Sequence, residues 1–241
     1  MRTDVVPGRG FGATLHELGV FASQALADFR VTAALAPSSR HLARAMLQPL
    51  CVHAGSTVVE IGAGTGAITA ALLASLPTDA TLLALEVNPR FFGYLTHRLA
   101  DRRLVAIHAG VEALAEELRS RRLGAVDAVV SSVALGYLSD SERRSYLGAL
   151  MPHLAPDAVL TQYQYLHGLQ YQNRVFHRFD LGAFLAQYFR SVERRVVWRN
   201  LPPAYVFTGR QWRNGDTLQA SGTDEPHPAG RRPPDLQCRP R

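Results

Sequence analysis

One stretch, VVEIGAGTGAITAALL beginning at Val58, limits what this chain can fold into more than any other. A short apolar run with one acid meets three glycines, Gly62, Gly64 and Gly66, and passes at once into an apolar pattern of helical period. A strand that breaks on glycines and resumes as a helix is the first βα unit of a wound sheet, with a ligand cradle at the strand's carboxyl end. The same alternation continues downstream. TLLALEV, LVAIHA, VDAVVSS and AVLTQYQYL read as strands, separated by the helix-like segments NPRFFGYLTHRLAD, VEALAEELRSRR and SERRSYLGALMPHL. Two later candidate strands, VERRVVWRN and AYVFTGR, are joined by LPP and would close an antiparallel edge. The expected fold is α/β: a Rossmann-like, doubly wound, mostly parallel seven-stranded sheet with an antiparallel edge strand.

A length of 241 residues suits one such domain with short extensions. The expected division is a helical N-terminal extension over residues 1–50, the α/β domain over 51–213 and a disordered tail over 214–241. Within the extension, apolar residues from Leu18 to Phe29 recur at helical spacing, and SRHLARAMLQPL from Ser39 reads as a second helix. No window has the uncharged apolar length of a membrane span, and the N-terminus lacks the apolar run of a secretory signal. Cys51 and Cys238 lie far apart in sequence without metal-like spacing, so a cytoplasmic chain with reduced cysteines, no disulfide and no metal is expected. The net charge is +6 and no lysine is present, so every basic side chain is arginine. That balance favours anionic partners, either nucleic acid or an anionic lipid surface.

The glycine turn excludes several ligands by its details. A phosphate-cradling P-loop ends in Gly-Lys-Ser/Thr, and this chain has no lysine. A dinucleotide fingerprint requires GxGxxG, whereas Gly66 arrives one position early and is followed by Ala67 and Ile68. Glu60, two residues before the turn, would repel a pyrophosphate and would suit a cation. S-adenosylmethionine carries an ammonium and a sulfonium and no phosphate. The expected cofactor contacts are therefore Glu60, Gly62, Ala63, Gly64 and Gly66. They extend to Glu86, which ends the next strand about twenty residues on and can accept both ribose hydroxyls, with Val87 beside it. The turn Gly110–Val111–Glu112 after the third strand would meet the adenine, and Ser131 at the end of the fourth strand completes the set. Together these residues resemble the class I methyltransferase pattern, with Val111 where many such enzymes carry aspartate after Gly110.

The loop after strand four reads SSVALGYL and lacks the Asn/Asp-Pro-Pro-Tyr/Phe motif that base-directed amino-methyltransferases share. That counts against rRNA adenine dimethylation, and no stable nucleic-acid partner is expected. TAALAPSSRHLARAM, VDAVVSSVALGYL and VVWRNLPPAYVF instead resemble the soluble bacterial phospholipid N-methyltransferases, over roughly residues 17–208. APSSR and NLPPA are the more specific blocks. The chain departs from that family at Ala134, where a proline is usual, and in QYQYLHG, where the family resembles QFTYG. The resemblance implies stepwise methylation of phosphatidylethanolamine toward phosphatidylcholine, at the inner face of the cell membrane. Methylation of a small amine or natural product, and a non-catalytic cofactor-binding or RNA-binding module, are the alternatives.

Methyl transfer is an in-line displacement, so positioning the amine supplies much of the rate. Aromatic faces can hold a methylated ammonium, which makes Tyr137, Tyr163 and Tyr165 candidates. Tyr163 and Tyr165 share one face of their strand, and core packing is the alternative for the pair. His167 is a candidate proton acceptor or a structural histidine. Tyr165, Tyr137 and His167 form the expected catalytic set, with Ser38, Ser39, Arg40 and Tyr163 as substrate contacts. Arg40 is the choice for a lipid phosphate, and the two serines bind substrate or cap the helix. Reaching a lipid requires peripheral contact with the membrane. The candidates are the amphipathic segment 16–29, or the Arg/aromatic stretch holding Arg174, Phe176, Arg178 and Phe179.

Overall fold

The computed structural model describes residues 38–166, 169–172 and 175–213, with backbone alone for 169–172 and 175–178. The expected helix over 16–29, His167, Arg174 and the tail from residue 214 lie outside the described residues. Strands β1 (Thr57–Ile61), β2 (Thr81–Leu85), β3 (Leu104–Ile107), β4 (Val126–Ser131) and β5 (Leu154–Tyr165) are interleaved with helices. These helices are α2 (Ala67–Ser75), α3 (Pro89–Arg98), α4 (Leu114–Ser120) and α5 (Asp140–Leu150). Ahead of them stands α1 (Arg40–Leu47); after β5 come β6 (Leu169–Gln172), β7 (Val175–Arg178), α6 (Leu181–Ala186), β8 (Phe189–Val197) and β9 (Ala204–Trp212).

Seven strands form one sheet in the order β3-β2-β1-β4-β5-β9-β8. From β3 to β5 all pairings are parallel, and β9 runs antiparallel between β5 and β8. This is the expected fold, and the LPP-linked strand pair makes its antiparallel edge. The order reverses at β1, where the chain leaves β3 and returns as β4 on the other side. A crevice therefore opens between the carboxyl ends of β1 and β4, the switch point where wound sheets bind ligands. The short hairpin of β6 and β7, with Tyr171 opposite Phe176, is an addition that the alternating pattern did not predict.

The central strands are buried on both faces, which is why they read as near-continuous apolar runs. Val59, Ile61, Leu83, Leu85, Val129 and Leu160 face the side covered by α4, α5 and α6. Val58, Leu82, Ala128 and Val130 face the side covered by α1 and α2. Local signals set the helix starts. Asn88 caps α3 by accepting from the Arg90 N–H at 2.9 Å, with Pro89 at its first turn. Ser139 and Glu142 form a reciprocal capping box on α5.

Helix α1 belongs to the domain's packing. Leu42, Ala43, Ala45 and Met46 are buried against α2 and the β5, β8 and β9 strands. The Arg210 guanidinium donates to the Pro49 carbonyl at 2.8 Å and closes the helix's far end onto β9. One sequence expectation is corrected here: Cys51 is disulfide-bonded. Cys238, the sequence's other cysteine, lies outside the described residues.

Candidate active site

The glycine turn sits at the carboxyl end of β1 and is hung from β2. The Gly62 and Ala63 N–H groups both donate to the Leu85 carbonyl, at 2.9 and 3.2 Å. Gly62, Gly64 and Gly66 have φ of 80°, 57° and 84°, left-handed values that a side chain disfavours. At Gly66 there is also no room: a Cβ would lie 3.1 Å from Leu99 Cδ1 and 3.2 Å from Leu95 Cδ1. Gly66 is thus the point where α3 packs close beneath the start of α2.

Two carboxyl groups serve this turn differently. Glu86 is almost fully buried; its Oε2 accepts the Gly64 N–H and its Oε1 the Asn88 N–H, each at 2.7 Å. Burial raises the Glu86 carboxyl above the ordinary range, and these N–H groups and nearby His108 oppose the rise. Glu60 is fully buried, and neither of its oxygens has a hydrogen-bond partner. Its carboxyl is pushed up to about 8, first by burial and further by the negative charge of Glu86. The Thr69 hydroxyl on α2 tempers that rise without reaching hydrogen-bond geometry. A buried carboxyl with two unused acceptors is costly unless a donor arrives to satisfy it. An ammonium group is such a donor, so the residues present fit the amino-acid end of S-adenosylmethionine.

Beyond the two acids, the structure adds residues that the sequence did not single out. His108 Nε2 lies 3.2 Å from the Val87 carbonyl, and its ring stacks on Phe92 with centroids 5.0 Å apart. Asn88 both caps α3 and holds Glu86. At the third strand, the Gly110 N–H donates to Glu112 Oε1 at 3.0 Å, while the Val111 side chain is buried in the core. Ser131 is fully buried, and its hydroxyl accepts from the Tyr146 phenol at 2.8 Å. Burial keeps that phenol neutral, so Ser131 is occupied in tying β4 to α5.

At the end of β5, the tyrosines and the serine block come together. Tyr163 and Tyr165 are half-buried on the α1 side, with ring centroids 5.4 Å apart in an edge-to-face arrangement. Burial pushes the Tyr163 phenol far up, reinforced by Tyr165 and opposed by the nearby Ser38 hydroxyl. Tyr163 therefore stays neutral near pH 7. Ser39 caps α1 by accepting the Leu42 N–H at 3.2 Å. Its own N–H donates to Asn200 Oδ1 at 3.1 Å, its hydroxyl donates to the Arg199 carbonyl at 3.1 Å, and Asn200 Nδ2 donates to the Pro202 carbonyl at 2.7 Å. Ser39 of APSSR and Asn200 of NLPPA, from the two blocks the sequence singled out, are thus joined directly. Arg40 is exposed at the first turn of α1.

The other face of β5 supports the loop after β4. Gln162 Nε2 donates to the Val133 carbonyl at 2.7 Å, and Gln164 Nε2 reaches the Phe179 carbonyl at 3.4 Å. Arg143 donates to the Leu135 carbonyl at 3.1 Å and lies 4.1 Å over the Phe179 ring. Tyr137, on that loop, is 44% exposed. Phe179, read from sequence as a lipid contact, is packed between Arg143 and Phe184 instead. An Arg/aromatic mixture suits a cation–π contact inside a protein as well as it suits a membrane interface.

Comparison with known proteins agrees with this geometry. A methyltransferase-domain family model matches residues 59–160. The ornithine lipid N-methyltransferase of Singulisphaera acidiphila is 30% identical over 176 residues, covering 73% of this chain and 86% of that protein. A ribosomal RNA small subunit methyltransferase H of Aromatoleum aromaticum is 37% identical over 84 residues, 35% of this chain and 27% of that protein. Among solved structures, the 1,6-didemethyltoxoflavin-N1-methyltransferase of Burkholderia thailandensis, with its substrate and S-adenosylhomocysteine bound, superposes with a TM-score of 0.56. It is 20% identical, covering 85% of this chain and 93% of that one. The glycine cradle over an unpartnered buried acid, on this strand order and with these relatives, makes the chain an enzyme that uses S-adenosylmethionine, and it belongs to the class I S-adenosylmethionine-dependent methyltransferases.

Proposed function

We propose that this enzyme methylates the amine of an amino-lipid, with phosphatidylethanolamine and its methylated intermediates as acceptors. The observation that carries the reading is the Tyr163–Tyr165 pair beside Ser38, an aromatic and hydroxyl-lined corner at the end of β5. Tyrosine faces attract a methylated ammonium by about 0.5–2 kcal/mol each, more when water is excluded. Such a corner suits successive methylation, because every intermediate remains a cation when protonated.

The cofactor supplies an electrophilic methyl group on a sulfonium; this chain's residues bind and orient both partners. In this reading Glu60 receives the cofactor's ammonium, and Glu86 uses its remaining lone pairs for the ribose hydroxyls while holding Gly64 in place. Ala63, Val87, Gly110 and Glu112 contribute backbone to the same cleft. Val111 and Ser131 shape it from within the core. Tyr165 and Tyr137 flank the acceptor amine. Tyr163, kept neutral by burial, cannot serve as a base near pH 7 and instead donates or accepts hydrogen bonds. Arg40 is the proposed phosphate contact, through its planar fork. The residue ranges 51–213 and 1–50 remain the proposed catalytic domain and extension, with α1 packed as part of the catalytic unit. Peripheral attachment to the inner face of the membrane belongs to the same proposal. Among the described residues no helix is long and apolar enough to cross a membrane.

A second acceptor, the free amine of an ornithine lipid, is favoured by the similarity to an ornithine lipid N-methyltransferase. Incubation with methyl-labelled cofactor and vesicles of each lipid, followed by chromatography of the extract, separates the two. Label in neither lipid, from protein that binds S-adenosylhomocysteine, would remove the amino-lipid reading.

A further inference from the structure

The β8–β9 turn is the most exposed apolar feature among the described residues. Trp198 is 71% exposed and Leu201 83%. Burying side chains of this size from water is worth about 1.5–3 kcal/mol each, so two of them on one short turn gain from an apolar partner. Next to the turn, a groove of about 450 Å³ runs between α1 and β8. His41, Arg44, Arg195 and Arg199 line it with Trp198, and among the described residues no acidic side chain does. Arg195 donates to the neutral Gln48 Oε1 at 2.6 Å, and none of the three arginines is in an ion pair among the described residues. A cationic groove with an apolar lip is complementary to a surface that presents phosphates over hydrocarbon.

Its position strengthens the match. β8 runs in the same direction as β5, since both pair antiparallel with β9. The Trp198–Leu201 turn therefore lies on the same rim of the sheet as the glycine turn and the Tyr163–Tyr165 corner. Asn200, inside that turn, holds Ser39, the residue that follows Ser38 in the serine block beside Tyr163.

We propose that the α1–β8 groove and the Trp198–Leu201 lip dock the enzyme on an anionic phospholipid bilayer. The arginines meet lipid phosphates while Trp198 and Leu201 enter the interfacial layer. The choice of a bilayer over another polyanion rests on the amino-lipid reading; the basic groove and apolar lip do not. None of the residues of this surface belongs to the segments 16–29 and 174–179 that the sequence suggested for membrane contact.

The test uses the full chain, with Trp198→Ser/Leu201→Ser and Arg44→Gln/Arg199→Gln as paired variants. Co-sedimentation is measured with phosphatidylcholine vesicles containing about one third phosphatidylglycerol. The lip variant should weaken binding about tenfold or more, and the arginine variant about fivefold per charge removed, with the loss mimicked by high salt. Both variants should keep wild-type affinity for S-adenosylhomocysteine and wild-type methylation of lipid dispersed in detergent, while slowing methylation of lipid in vesicles. Unchanged vesicle binding in both variants, or no vesicle binding by the wild type, overturns the proposal. So does an arginine-dependent preference for single-stranded RNA over vesicles. If docking behaves as stated but detergent-dispersed amino-lipids are not methylated, the acceptor assignment fails and the docking surface stands.

Discussion

Glu60→Gln isolates the least satisfied group in the site. The Glu60 carboxyl has no hydrogen-bond partner, and burial lifts it from 4.5 to about 8. At about 1.36 kcal/mol per pH unit, this shift places an upper bound of about 5 kcal/mol on what ionising it costs the free enzyme. The sign follows from proton counting. Between pH 4.5 and about 8 the folded chain holds a proton on Glu60 that the unfolded chain has lost, so stability falls as pH rises through that window. Gln cannot ionise. The stability of the variant relative to wild type should therefore climb with pH, by about 3 kcal/mol between pH 5 and pH 8 or more, read by urea unfolding without cofactor. Any cost of burying the amide adds a constant and cancels in the slope, and Glu86 titrates in both proteins. Cofactor binding gives the complementary readout. If the ligand's ammonium draws Glu60 into its charged form, S-adenosylhomocysteine binding near pH 7 should release most of a proton, measured by calorimetry in buffers of different ionisation heat. The variant should release none and bind about 10- to 100-fold more weakly, the worth of a charge-assisted hydrogen bond. Parallel pH–stability curves for the two proteins, together with equal affinity, would refute the role given to Glu60.

Three further outcomes are expected. Glu86→Ala removes the acceptor for both the Gly64 and Asn88 N–H groups, and should weaken S-adenosylhomocysteine binding at least tenfold; titration showing wild-type affinity counts against the placement of the ribose there. Gly66→Ala forces a side chain into a left-handed position 3.1 Å from Leu99, and should cost about 1–3 kcal/mol in urea unfolding; a loss below a few tenths would mean the turn relaxes freely. Tyr165→Ala should raise the KM for the lipid acceptor about 2- to 30-fold while leaving S-adenosylhomocysteine affinity alone. A loss confined to kcat with KM unchanged would instead make Tyr165 a group that acts only in the transition state.

The parts of this molecule governed by local pattern were legible in the sequence. Apolar runs alternating with amphipathic segments gave the parallel sheet, and the three glycines with Glu60 and Glu86 marked one turn. What stayed hidden depends on contacts between distant residues. Nothing near Asn200 signals that it holds Ser39, 161 positions away. Ser131 looked available at the end of β4 because Tyr146, which engages it, sits on a different element. Phe179 read as a surface aromatic because its partners Arg143 and Phe184 flank it only after folding. The β6–β7 hairpin escaped because VFHR lacks apolar/polar alternation and LQYQ, though it alternates, is only four residues long.

In the proposed reaction a methyl group passes from S-adenosylmethionine to a lipid amine at the Tyr163–Tyr165 corner. The most direct measurement is mass spectrometry of lipid extracts after incubating the enzyme with cofactor and detergent-dispersed phosphatidylethanolamine or ornithine lipid. Successive one-methyl additions to the amine of one of these lipids are expected, strongly reduced when Tyr163 and Tyr165 are both replaced by Leu. Unmodified lipid from an enzyme that binds the cofactor, or undiminished methylation by the double variant, would contradict it.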